Sequence, residues 1–114
     1  MEYLKWLEET GIHELDLVGG KNASLGEMIK NLSDLDILVP AGFVITSRAF
    51  DLYMEYNNLN NKISDILNTM DVDDLTSLRH NGLKIRNMIT NGIIPDILKL
   101  YIIDYYQQLS AKYS

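Results

Sequence analysis

The chain has no cysteine in its 114 residues, so it can form neither a disulfide framework nor a thiolate metal site. That absence fits a reducing compartment, and the cytoplasm is the expected location. Long apolar runs are absent as well. None approaches the ~18–20 residues that span a bilayer, and the N-terminus lacks a basic region ahead of an apolar one, so neither membrane insertion nor secretion is expected. Basic residues are few, with 10 Lys and Arg against 16 Asp and Glu and a net charge of −6. Nucleic acid is therefore not an expected partner, because phosphate backbones are held by clustered Lys and Arg. Repeats, low-complexity runs and linkers are missing too. The length admits one domain at most.

Glycine and lysine meet in one stretch. In Leu17-Val18-Gly19-Gly20-Lys21-Asn22-Ala23-Ser24-Leu25-Gly26-Glu27-Met28-Ile29, an apolar lead-in reaches two adjacent glycines and then a lysine. A helical pattern follows, with Leu25, Met28, Ile29 and Leu32 on one face. Paired glycines permit positive φ and leave no side chains in the path of a ligand. The first N–H groups of the helix lack intrahelical acceptors, and its dipole adds partial positive charge there. Lysine suits the opposite end of a helix by roughly 0.3–1 kcal/mol. An anion would remove that conflict. Two readings follow: a phosphate-binding turn made by Gly19, Gly20 and Lys21, or an ordinary turn with an exposed lysine. The stretch is not a Walker A loop, since the Lys-Ser/Thr ending is missing.

Along the chain, Tyr3-Leu4-Lys5-Trp6-Leu7 is aromatic and β-prone, a strand or one helical turn by pattern alone. Residues 12–18 read as a connecting segment. The first long helix is expected over about Asn22–Leu32, capped by Asn22 or Ser24. Ser24 and Glu27 have capping-box spacing, which offers Glu27 a structural role. Residues 34–38 lead to Val39-Pro40, where the proline favours an extended chain. Residues 42–46 read as a buried strand, with Thr46 or Ser47 capping a helix to about Tyr56 that buries Phe50, Tyr53 and Met54. Another helix, from Asn60 or Asn61, carries Ile63, Ile66, Leu67 and Met70 on one face. Asp71 to Asp74 read as dipole partners for the next helix rather than as a metal site. That helix, about Asp73–Asn91, aligns Leu75, Leu78, Gly82, Ile85 and Ile89, with Gly92 suited to its C-terminal cap. Pro95 opens the last helix, which presents Leu98, Tyr101, Ile102, Tyr105 and Leu109 inward. The expected fold is helix-rich α+β, with about five helices and two or three short strands. His13 and His80 stand alone, without an acid or nucleophile at a telling spacing.

Two blocks carry a family resemblance. Val18-Gly19-Gly20-Lys21-Asn22-Ala23-Ser24-Leu25-Gly26-Glu27-Met28 resembles the N-terminal signature of the phosphoenolpyruvate synthase (pyruvate, water dikinase) and pyruvate phosphate dikinase family. Val39-Pro40-Ala41-Gly42-Phe43-Val44-Ile45-Thr46 resembles that family's next block. The similarity is strong over about residues 15–50 and looser beyond. It implies the N-terminal subdomain of an ATP-grasp nucleotide-binding domain, with residues 1–114 a single partial domain and the phosphohistidine and pyruvate-binding domains absent. A strand at residues 3–7 is implied too. The resemblance further implies ATP as the ligand, with Lys21 on its phosphate chain and Gly19 and Gly20 allowing close backbone approach.

Gly82-Leu83-Lys84-Ile85-Arg86-Asn87-Met88-Ile89 resembles a stretch that supplies a phosphate-contacting arginine, here Arg86. A guanidinium fork matches phosphate oxygens. A solvated arginine is the alternative, with Arg79 and Lys84 as neighbours. The implied full-length reaction turns ATP, pyruvate and water into phosphoenolpyruvate, AMP and phosphate. Phosphoryl transfer needs metal ions and cations around the γ-phosphate. This chain offers one or two such cations, no metal ligands and no catalytic residue, and magnesium is expected only in the full-length enzyme. Activity of the chain alone is not expected. It reads as an ATP-binding fragment of such a dikinase or, in a different class, as a stand-alone non-catalytic nucleotide-binding or protein-interaction module. Open strand edges favour self-association or a complementing chain.

Overall fold

The β-prone stretches near residues 4 and 43 pair with each other. A computed structural model describes residues 2–33, 35 and 40–113. The expected approach through residues 34–38 to Val39 thus falls largely outside the described residues. The elements in order are β1 (Leu4–Trp6), 3-10 turns at Leu7–Glu9 and Ile12–Glu14, α1 (Leu15–Val18), α2 (Gly20–Ser33), β2 (Phe43–Ile45), α3 (Ser47–Tyr56), α4 (Leu59–Thr69), α5 (Leu75–Thr90) and α6 (Asp96–Tyr113). This is a helix-rich α+β composition. The segment at 12–18, expected to be a plain connection, is instead a 3-10 turn running into one turn of α-helix. The chain makes two compact units, Met1–Phe50 with Asp96–Ser114, and Asp51–Pro95. Among the described residues no helix is long and apolar enough to cross a membrane.

In the first unit, β1 and β2 run antiparallel with Leu4 opposite Ile45, Lys5 opposite Val44 and Trp6 opposite Phe43. Trp6 and Phe43 meet edge to face at 6.0 Å, and Tyr105 of α6 stacks on Trp6 at 4.7 Å while its face meets Phe43 at 5.6 Å. Such pairs contribute about 0.5–1.5 kcal/mol each beyond the area they bury. Lys112 lies 4.8 Å above the Trp6 ring, and the Tyr113 hydroxyl accepts from the Ala41 amide at 2.7 Å. Aromatic contacts thus seat α6 on the strand pair. Thr46 is buried and caps α3, its hydroxyl accepting from the Ala49 amide at 3.4 Å.

The core of this unit is Val18, Ala23 and Val44, with Leu7 and Leu17 against it. The α2 face that packs inward is centred on Ala23 and Gly26, and Met28, expected on the inner face, is 46% exposed. Gly26 decides this. A Cβ there would overlap the hydroxyl and carbonyl oxygen of Thr10 and lie 2.8 Å from the Thr10 carbonyl carbon. The bare backbone lets α2 sit directly on the chain at Thr10, which is fully buried.

In the second unit, Tyr53 and Asn57 fix the end of α5. The Tyr53 hydroxyl donates to the Ile89 carbonyl. Asn57 brackets Ile93, donating to its carbonyl and accepting from its amide, both at 2.8 Å. Met54 and Leu59 are buried. Asp74 caps α5 by accepting from the amides of Thr76 and Ser77, the dipole-partner role expected for that acidic stretch. Gly92 lacks the left-handed conformation its expected cap role requires; its amide donates to Ile89 and Tyr53 crowds its α-carbon. Three residues assigned to inner faces, Phe50, Leu67 and Leu75, are more than half exposed, and Tyr101 of α6 is 42% exposed. Periodicity groups residues on a face, but coverage of that face depends on neighbours.

Candidate functional site

The Gly-Gly-Lys stretch forms a joint between two helices. Gly19 has φ 82° and ψ 160°, a left-handed region open to glycine. Its amide closes α1 on the Leu15 carbonyl at 2.8 Å, and its carbonyl opens α2 by accepting from Ala23 at 3.0 Å. One residue therefore ends one helix and begins the next. The helix starts at Gly20, two residues ahead of the expected Asn22, because Asn22 does not cap it. Its side chain instead donates to the Val18 carbonyl at 2.9 Å. Ser24 sits in the helix body, so the capping box with Glu27 does not form.

Glu27 does have a structural role, but with another partner. Its carboxylate accepts from the Ile12 amide at 3.1 Å, tying α2 to the 3-10 turn fifteen residues earlier. Thr10 adds a second tie, with its hydroxyl 2.8 Å from the Leu7 carbonyl and 3.2 Å from the Asn22 carbonyl. Lys5 adds a third. Its ammonium pairs with Glu14 and lies 3.7 Å from Glu2, with the lysine side chain only 10% exposed. The hydrogen bond that Lys5 donates to Glu14 raises the Lys5 pKa against the opposing effect of burial. The sequence singles out Glu27 for a structural role, but with Ser24 as its partner; it singles out neither Thr10 nor Lys5. The available signal was Lys5 itself, a lone charge inside an aromatic, β-prone run.

On the outer side the joint is open. Gly19, Gly20 and Lys21 are exposed, and a Cβ on Gly19 would meet nothing within 4 Å. Among the described residues, none accepts a backbone hydrogen bond from the amides of Gly20, Lys21 or Asn22, and no carboxylate pairs with Lys21. Three successive amides without a backbone acceptor among the described residues, a helix N-terminus and an ammonium have the donor chemistry a polyphosphate requires. The arrangement can bind and neutralise an anion. It offers no nucleophile or base to react with it.

Arg86 belongs to the second unit, on α5, and is exposed. Its guanidinium lies back along the helix, with Nη1 3.7 Å from where a Cβ of Gly82 would stand. A hollow of about 490 Å³ runs along α5, lined by His80, Leu83, Lys84, Asn87, Met88 and Asn91. Lys84 therefore lines it, while Arg86 does not. The joint gathers Gly19, Gly20 and Lys21; Arg86 belongs to the other unit.

Comparison with known proteins adds to this geometry. The family model for the pyruvate phosphate dikinase AMP/ATP-binding domain matches residues 15–114. Phosphoenolpyruvate synthase of Aquifex aeolicus is 46% identical over 108 residues, 95% of this chain and 13% of the relative. The Escherichia coli protein of that name is 42% identical over 106 residues, 93% of this chain and 13% of its own length. The Synechocystis protein is 36% identical over 108 residues, again 95% of this chain and 13% of the relative. The chain thus spans about an eighth of the length of the curated relatives it matches.

Proposed function

Because the chain belongs to the pyruvate phosphate dikinase AMP/ATP-binding domain family, we propose that the Gly19–Lys21 joint grips the phosphate chain of ATP. The observation that carries this reading is the row of amides at Gly20, Lys21 and Asn22, which have no backbone acceptor among the described residues, beside an ammonium with no carboxylate partner among them. The amides supply directed donors and Lys21 supplies the charge. The bare Gly19 and Gly20 let phosphate oxygens come up to the backbone. Arg86 is a second phosphate contact, carried by a separate part of the chain.

In this reading residues 1–114 are the N-terminal part of an ATP-grasp domain in a phosphoenolpyruvate-synthase-like dikinase. The whole protein turns ATP, pyruvate and water into phosphoenolpyruvate, AMP and phosphate. ATP supplies the phosphoryl group, and this chain's residues hold and neutralise the phosphates. The chain contributes no catalytic residue, and magnesium ligands come from elsewhere in the longer protein. The two short strands among the described residues each have one partner there, and a second copy pairs along the open edges. Light scattering checks that contact. Mass rising with concentration is expected, and a clean monomer throughout would refute the edge pairing.

Calorimetry with ATP tests the grip. Lys21→Ala is expected to weaken binding about tenfold to a hundredfold, the scale of one charged hydrogen bond. Arg86→Ala is expected to weaken it less. No heat of binding from the unmodified chain at millimolar ATP would overturn the reading.

A further inference from the structure

We propose that Asn22 is a positioning residue for the polyphosphate grip, an inference that rests on the reading above. In a helix that continued past Val18, its carbonyl would accept the backbone amide of residue 22. Here the Asn22 side-chain amide occupies that carbonyl at 2.9 Å. The Asn22 carbonyl is held on the inner side as well, 3.2 Å from the buried Thr10 hydroxyl. Side chain and carbonyl are both engaged by the scaffold, which leaves the Asn22 backbone amide as the third donor without a backbone acceptor among the described residues.

An asparagine in the first turn of a helix ordinarily serves as an acceptor for helix amides. This one works in reverse, as a donor to the preceding helix. Only a side-chain donor of this length can do so. Aspartate would set its oxygens against the Val18 carbonyl and add negative charge beside the phosphates, and serine is too short. Asn22 therefore keeps the joint open without itself contributing a side-chain contact to the ligand.

The test uses the full chain, with tripolyphosphate and ATP as probes. Asn22→Ala is expected to weaken both by the same factor, about tenfold, the scale of one lost hydrogen bond to a charged group. Asn22→Asp is expected to weaken them further. The amide of residue 22 should exchange more slowly in Asn22→Ala than in the unmodified protein, having turned inward to Val18. If Asn22→Ala binds tripolyphosphate within twofold of the unmodified chain while Lys21→Ala is impaired, the positioning role is wrong and the phosphate grip stands. No tripolyphosphate binding by the unmodified chain overturns both. Amide exchange in the unmodified protein gives a readout that needs no variant. The Asn22 backbone amide should exchange freely alone and become protected by tripolyphosphate. Protection without ligand would refute the inference.

Discussion

Lys21 and Arg86 are both exposed cations on helices, yet their settings differ in kind. Behind Lys21 lies a layer of locks: Glu27 on Ile12, Thr10 on two carbonyls, Lys5 on Glu14, and a glycine that brings α2 onto the chain. Behind Arg86 lies α5, which has no buried residue and leaves Leu75 and Leu83 more than half exposed. A group that must meet a ligand at fixed distances gains from the first arrangement, since its geometry is set before binding. The second leaves the cation free to adjust. If both cations meet phosphate as proposed, the contrast predicts directed recognition at the joint and mainly charge from Arg86.

Substitutions can break this comparison. The largest effect is expected from Gly26→Val, which forces side-chain atoms into Thr10 and should cost about 3 kcal/mol. Urea unfolding followed by Trp6 fluorescence measures it, because Trp6 stacks on Tyr105 in the same unit. Glu14→Gln comes next, at about 1–2 kcal/mol, since it leaves the mostly buried Lys5 ammonium with Glu2 alone as a charged partner; full burial of both partners would make the loss larger. Asn57→Ala, the main polar latch of the second unit, should cost about 1–2 kcal/mol through its two bonds to Ile93. Gly82→Ala should be the mildest. Its Cβ meets only Arg86 at ordinary contact distance, and helix propensity favours the change by about 0.5–1 kcal/mol. If Gly26 and Gly82 respond alike, the contrast between the units fails.

Alkaline titration sharpens the same contrast. Lys5 has a raised pKa, chiefly from its hydrogen bond to Glu14, and burial raises that of Tyr105. Both groups hold their protons more tightly folded than unfolded, so their stabilisation is complete below the ordinary range of these groups. It is lost as pH climbs through the higher folded values, beginning near about pH 10. The first unit should therefore weaken on that side, and Lys5→Met should flatten the slope in thermal melts.

Much of the fold was legible because it is local. Ser47–Tyr56 is bounded by a buried threonine cap and an Asn-Asn break, and those signals sit in adjacent residues. The joint was half legible. Type and spacing at Gly19, Gly20 and Lys21 leave a phosphate-binding turn and an ordinary turn both open, with the family resemblance favouring the first, and the start of α2 depends on Asn22 reaching back to Val18. The partner of Glu27 lies fifteen residues away across a turn, where no helical spacing points. Lys5 and Glu14 likewise meet only after folding. Helix α6 shows the limit of periodicity. Leu98, Ile102, Tyr105 and Leu109 form one apolar stripe, while Ile97, Leu100, Ile103 and Tyr106 form another that is exposed. Such a pattern cannot say which stripe is covered.

The most direct test of the phosphate joint is the amide spectrum of the full chain during addition of ATP. Resonances of Gly20, Lys21 and Asn22 should shift together and saturate, and Lys21→Ala should raise the ATP concentration needed for that response by about tenfold to a hundredfold. Shifts confined to α5, or none at millimolar ATP, would contradict the account.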